Sequence, residues 1–469
     1  MAAVAMGIFL ATIDGSIVNV ALPTLTQAFQ TEFALVQWVV LAYLLTLTTL
    51  LLGVGRLADM IGKKHIYNLG FIIFTIGSVL CGLSRSITAL IGFRVLQAIG
   101  AAMVIALGMA IVTEAFPPRE RGLAIGVSGS MVSVGIVVGP TLGGLLIEAL
   151  NWRWIFFVNL PVGILGTWLA FRHVPATRPV GGQTFDFKGA ISLFLSLFCL
   201  LLALTFGQQI GFNQPVVWCL LLISLISLGI FIYVELHTSD PMLDLRLFRN
   251  VYFSISLITA LLSFISIAGT TFLMPFYLEY VLGYSPARVG LLLAVVPTVL
   301  AVLSPLSGAL SDHFGSRPIA LAGLALLLLG YAAMSTLSTT TSAGGFIIRF
   351  LGVGLGMGVF QSPNNSAIMG AAPRERLGVI SSVLSVTRTL GQTSGIAILG
   401  SVWAARVNAL SGMPSSASVV AAPAIVQVTA IHQTFLVVVA LITFGLGLGI
   451  WALVAERRQA QAHLIQTPR

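Results

Sequence analysis

Asp14 is the side chain of this 469-residue sequence best placed to do chemistry, because it interrupts the apolar run Val4–Leu25. An ionised carboxylate at the centre of a membrane helix costs about 2.5–3.5 kcal/mol on insertion scales, so such a residue faces a cavity or a partner and marks ion pathways. A carboxyl group that alternates between wet and dry surroundings takes up and releases a proton. Arg94 stands inside another apolar run with Gln97 one turn further along, on the same helical face. The same residues could equally form a static contact, with Asp14 holding its helix to a neighbour through Asn19, and Arg94 pinned by backbone carbonyls. Arg349 and Arg388 also fall inside apolar runs, where a packing role accounts for both; Glu279, near the outer end of a run, reads as a solvated or hydrogen-bonded surface group, with proton uptake or cation binding as the alternative.

Other chemistries lack their residues. Cys81, Cys199 and Cys219 are single and widely spaced, which suits apolar packing and neither a disulfide framework nor a metal site. The six histidines show no ligand spacing, no catalytic triad is apparent, and no GxxxxGK[ST] phosphate loop occurs. The pattern therefore predicts no enzyme, no metal and no cofactor, with energy drawn from an ion gradient.

The elements that must position these residues are membrane helices. Hydrophobic residues make up 57% of the chain and charged residues 8%, with a mean hydropathy of +1.03, which cannot dress a water-soluble surface of this length. Counting apolar stretches long enough to cross a hydrocarbon core of about 30 Å predicts fourteen spans. GRLADMIGKK at Gly55–Lys64 returns as GALSDHFGSR at Gly308–Arg317, and PRER at Pro118–Arg121 returns at Pro373–Arg376, each about 255 residues later. Arg349 follows Arg94 at the same distance. Two homologous helical halves of this kind enclose a site near mid-bilayer in transport proteins. Six spans need only about 180 residues at 1.5 Å per residue, so the surplus predicts two inserted helices. The expected organisation is a six-helix bundle over 1–172, two inserted helices with linkers over 173–250, a second six-helix bundle over 251–455 and a cytoplasmic tail over 456–469.

Sixteen of the 23 Lys and Arg residues fall in loops on the side of both termini and four on the other side. The positive-inside rule then places both termini in the cytoplasm of a cell-membrane protein. The net charge of +9 thus reflects topology rather than a nucleic-acid partner.

Glycines supply the mechanics. Gly135, Gly139 and Gly143 recur every fourth residue and place a smooth stripe on one helix face, with Pro140 set to bend it. Gly55, Asp59 and Gly62 read as a tight cytoplasmic turn, repeated around Asp312. The cluster Gln361, Ser362, Pro363, Asn364 and Asn365 is expected to interrupt its span and could line a cavity. Trp38, Tyr43, Phe272 and Tyr277 are the aromatic candidates for contact with cargo.

Five segments together resemble a known family: TIDGSIVNVALP (Thr12–Pro23), GRLADMIGKK, FRVLQAIGAA (Phe93–Ala102), VGIVVGPTLGG (Val134–Gly144) and NWRWIFFVNLPVG (Asn151–Gly163). They resemble the major facilitator superfamily, and in particular its fourteen-span drug:proton antiporter branch. The resemblance implies an all-α membrane fold and a monomer in the lipid bilayer that exports lipophilic, often cationic, compounds by alternating access in exchange for protons. An exporter of one metabolite, siderophore or lipid would share every motif. The resemblance further implies proton coupling through Asp14 and Arg94, with a cavity drawing on Asn19, Tyr43, Gln97, Gln361, Asn364 and Asn365. A conformational latch is implied at Gly55, Asp59, Gly62 and Asp312 with Arg119 or Arg121 as ionic partners. The Gly135–Gly143 stripe belongs, in this family, to exporters.

Overall fold

The computed structural model of the chain describes residues 1–115, 121–174, 186–211, 213–238, 245–370, 377–411 and 419–466. Among these residues there is no strand. The helices are α1 (Ala2–Ala28), α2 (Phe33–Ile61), α3 (Lys63–Leu83), α4 (Ile87–Ala115), α5 (Arg121–Ala149), α6 (Trp154–Phe157), α7 (Asn159–His173), α8 (Phe187–Ile210) and α9 (Pro215–His237). There follow α10 (Val251–Phe276), α11 (Pro286–Leu293), α12 (Val295–Phe314), α13 (Ser316–Met334), α14 (Ala343–Gly370), α15 (Leu377–Ser411) and α16 (Ala424–Gln466).

Twelve helices among the described residues are long and apolar enough to cross a membrane, where the apolar pattern predicts fourteen spans. Two elements make the difference. In α5 only the shorter stretch Val134–Ala149 counts as an apolar helix. α15 is diluted by Arg388, Thr389, Gln392, Thr393 and Arg406, so its mean hydropathy falls below that of a typical span.

Helix breaks follow the prolines. Pro161 has no N–H to offer the carbonyl of Phe157, and the helix is interrupted at Val158 between α6 and α7. Pro297 does the same to Leu293, and the break falls at Ala294 between α11 and α12. After Pro275, the end of α10 widens into a π-helical turn, Tyr277–Val281. The expected interruption at Gln361–Asn365 does not occur: α14 runs through Pro363 as one helix, and Asn364 Nδ2 donates to the Ser256 carbonyl of α10. The expected turn at Gly55–Gly62 is also narrower. Gly55 and Asp59 lie inside α2, and the chain reverses only at Gly62, with φ of 109°. Gly315, with φ of 84°, makes the matching reversal between α12 and α13. Both angles belong to the region that glycine adopts without steric cost.

The duplication is visible in the packing. α3 runs along α4 as α13 runs along α14, α2 packs on α4 as α12 packs on α14, and α1 lies on α5 as α10 lies on α15. Glycines make these approaches possible. A Cβ on Gly135 would collide with Thr12 Oγ1, one on Gly139 with Ser16 Oγ, and one on Gly143 would lie 2.6 Å from Ile17 Cγ1. The stripe predicted on α5 therefore meets α1. On α15, Gly391 and Gly395 face Phe264 and Ile265 of α10 in the same manner. Between the halves, α8 packs on α2 and on α15, and α9 packs on α8. The outer side chains of α9 stay exposed, Trp218, Leu225 and Tyr233 among them, as suits a lipid-facing helix.

Candidate functional site

The polar centre of the first half is assembled from five helices. α1 contributes Asp14, α2 Tyr43, α3 Ser78 and Cys81, α4 Arg94 and Gln97, and α7 its first residue, Asn159. Asp14 is fully buried and Arg94 is 1% exposed. Arg94 Nη1 donates to Asp14 Oδ2 at 2.6 Å and to Gln97 Oε1 at 2.7 Å, and Nε donates to the Val39 carbonyl at 3.1 Å. Gln97 Nε2 returns a bond to Asp14 Oδ1 at 2.8 Å, and Asn159 Nδ2 donates to the same oxygen at 2.9 Å. Asp14 thus accepts from three side chains on two other helices. Tyr43 lies flat beneath the cation, with Arg94 Cζ 4.1 Å from its ring centroid, which adds a cation–π attraction.

Two residues of this network carry no signal in a membrane pattern. Asn159 Nδ2 also donates to Ser78 Oγ at 3.1 Å, and Ser78 Oγ donates to the Phe156 carbonyl at 2.8 Å. A bonded chain therefore runs from Asp14 to the break between α6 and α7. The one clue in the sequence is the position of Asn159 two residues before Pro161, where a helix restarts. Tyr43 Oη and Asn159 Oδ1 are buried without a hydrogen-bond partner among the described residues. Both are polar atoms of the network that remain open to a further bond.

The remaining expectations scatter. Asn19 Nδ2 bonds the Gly15 carbonyl at 3.3 Å within its own helix and does not join Asp14. Asn364 Nδ2 donates to the Ser256 carbonyl at 3.0 Å, tying α14 to α10, while Gln361 and Asn365 are half-buried. Trp38 faces Phe206 of α8, with centroids 6.1 Å apart. Phe272 is buried against Phe33, and Tyr277 Oη donates to the Ser338 carbonyl at 2.7 Å. These aromatics pack helices together. Arg119 lies outside the described residues, as do the side chains of Asp59, Arg121 and Asp312.

At the end of the bundle where α1 gives way to α2, the halves are sealed to each other. Phe33 stacks edge-on against Phe276 at 4.8 Å and Trp403 at 4.9 Å. Tyr280 Oη donates to the Pro23 carbonyl at 3.1 Å, and the Ala287 N–H donates to Glu148 Oε2 at 3.1 Å. Gly144 and Gly290 let α5 and α11 touch backbone to backbone, at Pro286 and Pro140. A buried polar centre in the first half thus accompanies a duplicated second half, and the two are joined at one end.

Comparison with known proteins decides the family. The sequence matches the Major Facilitator Superfamily over residues 4–396. The chain belongs to this superfamily. It is 35% identical to the riboflavin transporter RibZ of Clostridioides difficile, over 86% of this chain and 87% of that protein. It is also 35% identical to the multidrug resistance protein Stp of Mycobacterium tuberculosis, over 87% of this chain and 76% of the relative. Among solved structures it is similar to a bacterial homologue of the lysosomal transporter Spinster in an inward-facing, unoccupied conformation, with a TM-score of 0.68 at 20% identity, covering 96% and 95% of the two chains. This superfamily member is therefore a multi-pass membrane transporter and not an enzyme.

Proposed function

We propose that this transporter is a proton-coupled antiporter that exports lipophilic small molecules by alternating access, in the fourteen-span drug:proton branch of the superfamily. The observation that carries the reading is Asp14, fully buried yet held by Arg94, Gln97 and Asn159. A buried ion pair is costly to open unless each charge gains a substitute partner. A proton arriving at Asp14 neutralises the carboxylate and releases Arg94, so protonation and rearrangement of α1 against α4 become one event. Each charge carried down the potential supplies about 2.3 kcal/mol per 100 mV.

In this reading α5 and α15 also cross the bilayer, since each lies along a spanning partner, α1 and α10. That brings the crossings to fourteen and both termini to the cytoplasmic face, and it makes the Phe33, Phe276 and Trp403 seal the outer gate. The segment around Asp59 latches the halves on the inner side, and the protein acts as a monomer. Relatives named as multidrug resistance proteins support a broad cargo. The riboflavin transporter, a relative at the same identity as Stp, supports a cargo of one metabolite, and competition between unrelated compounds in vesicles separates the two.

Asp14→Asn tests the coupling. In proteoliposomes the variant is expected to lose substrate accumulation driven by a pH gradient while retaining gradient-free exchange of substrate. Full pH-driven accumulation by Asp14→Asn would remove the basis for the assignment.

A further inference from the structure

Arg388 is the charged residue that the Asp14 centre leaves unused. It lies on α15 three residues before Gly391, whose seam with Phe264 fixes that face of α15 against α10. Val386, two residues away, packs against the apolar cluster of the first half, and Leu384 against the larger cluster built mainly from the second. α15 thus packs on both halves, on α2 as well as on α10, and Arg388 shares its side of the helix with Leu384 and Gly391 while Val386 lies on the opposite side. The side chain is partly accessible. Among the described residues it has neither an ion-pair nor a hydrogen-bond partner, whereas Arg94 has three.

A guanidinium carries five donors and stays charged at any accessible pH. Inside a membrane such a group is expensive, and its partner is the first thing to identify. Among the described residues no helix supplies one. Asp14 is already neutralised by Arg94, and Glu279 sits in the π-helical turn at the far end of α10. Among the described residues, α15 therefore carries at Arg388 a positive charge with no counter-charge, on a helix that packs against both halves. It attracts anions and repels cations in a medium where neither effect is well screened.

We infer that Arg388 is a substrate-binding residue and that the cargo carries an anionic group, a carboxylate, sulfonate or phosphate, that pairs with the guanidinium. This deepens the exporter reading, rests on it, and replaces the cationic cargo that the family resemblance implies with an anionic one. It also sets the electrical character of the cycle. Exchange of a monoanion for one proton moves two charges in the same sense, whereas exchange of a monocation for one proton moves none.

Tetraphenylborate and tetraphenylphosphonium, near-identical in shape and opposite in charge, are the probes. Binding of each to the purified full-length protein in an uncharged detergent is measured by equilibrium dialysis, and the borate-to-phosphonium affinity ratio is compared with that of variants, so that micelle partitioning cancels. The wild-type ratio is expected to exceed that of Arg388→Gln at least tenfold, while Arg388→Lys keeps most of the preference. Leu384→Glu places a carboxylate one turn away and is expected to abolish the preference with Arg388 intact, which keeps the test open if Arg388→Gln fails to fold. A ratio unchanged in Arg388→Gln or Leu384→Glu, a wild-type preference for phosphonium, or binding of neither ion would overturn the inference. Failure here with loss of pH-driven transport in Asp14→Asn sinks only the anionic cargo. A tenfold ratio with coupling intact in Asp14→Asn sinks only the proton reading.

Discussion

Arg94 and Arg349 occupy matching places in the two halves and do different things. Their helices pack alike: a Cβ on Gly77 would lie 2.7 Å from Gln97 Cα, and one on Gly330 would lie 2.5 Å from the backbone of Gly352, three residues after each arginine. In the first half, Arg94 turns inward to Asp14, Gln97 and the Val39 carbonyl. In the second, Arg349 Nε donates to Thr336 Oγ1 at 2.9 Å and Nη1 to the Gly345 carbonyl at 2.9 Å, all within the α13–α14 hairpin. The groups that hold Arg94 have no second-half equivalents. Gly352 stands where Gln97 does, Tyr331 follows Gly330 where Ser78 follows Gly77, and α10 has no acid between Val251 and Phe276. Its hydroxyls, Ser263, Ser266 and Thr270, bond carbonyls of their own helix. The duplication has kept the glycine contacts that set helix spacing and, among the described residues, has a buried ion pair in one half. Such a division suits a machine in which one bundle is switched and the other is moved.

The contrast breaks most sharply at Arg94. Arg94→Leu strands a fully buried carboxylate, and loss of one partner of a buried pair costs about 3–5 kcal/mol. Thermal unfolding in detergent should show the largest fall for this variant, with partial recovery in Asp14→Asn/Arg94→Leu, where no lone charge remains. Equal stability of the single and double variants would mean that the pair is not held as described.

Asn159→Leu tests the middle of the scale. It removes one of three donors to Asp14 and leaves Arg94 and Gln97 in place, a loss of about 1.5–3 kcal/mol for a hydrogen bond to a charged group. A stability loss near that size is expected, and Ser78→Ala should produce a smaller one, since only the outer link of the chain is cut. If Ser78→Ala proved the more damaging, the bond to Phe156 rather than Asp14 would be the main purpose of Asn159.

Arg349→Ala should do least. Its partners are a hydroxyl and a carbonyl near the end of α14, so about 1 kcal/mol or less is at stake, and pH-driven transport should survive. An Arg349 variant as damaging as Arg94→Leu would erase the functional asymmetry between the halves.

Much of this was legible in residue order. Apolar runs, the recurrence of GRLADMIGKK, and Asp14, Arg94 and Gln97 as polar residues in apolar surroundings pointed to a duplicated membrane bundle and to three of the residues at its polar centre. Asn159 and Ser78 escaped because a single Asn or Ser in a helix is common and cheap; their meaning lies in meeting Asp14 from α7 and α3. The reading of Gln361–Asn365 as a break failed because α14 continues through Pro363 with Asn364 tied to α10, a contact no local pattern displays. Phe272, Tyr277 and Trp38 stood out by type alone, and their packing against Phe33, Ser338 and Phe206 is visible only in the fold.

Residue order by itself determined that the chain is a two-fold repeated helical membrane protein with a charged pair to place, since hydropathy and periodicity are local properties that each segment carries alone. Only the tertiary structure decided which charges meet. Asp14 and Arg94 are eighty residues apart and Asn159 is further still, so their contact depends on how α1, α4 and α7 converge, and the lack of any such convergence around Arg388 is equally invisible along the chain. Pairing in a membrane interior is a property of packing: helices choose their neighbours through glycine-lined approaches, and that choice decides which charge finds a counter-ion and which is left to seek one in a ligand.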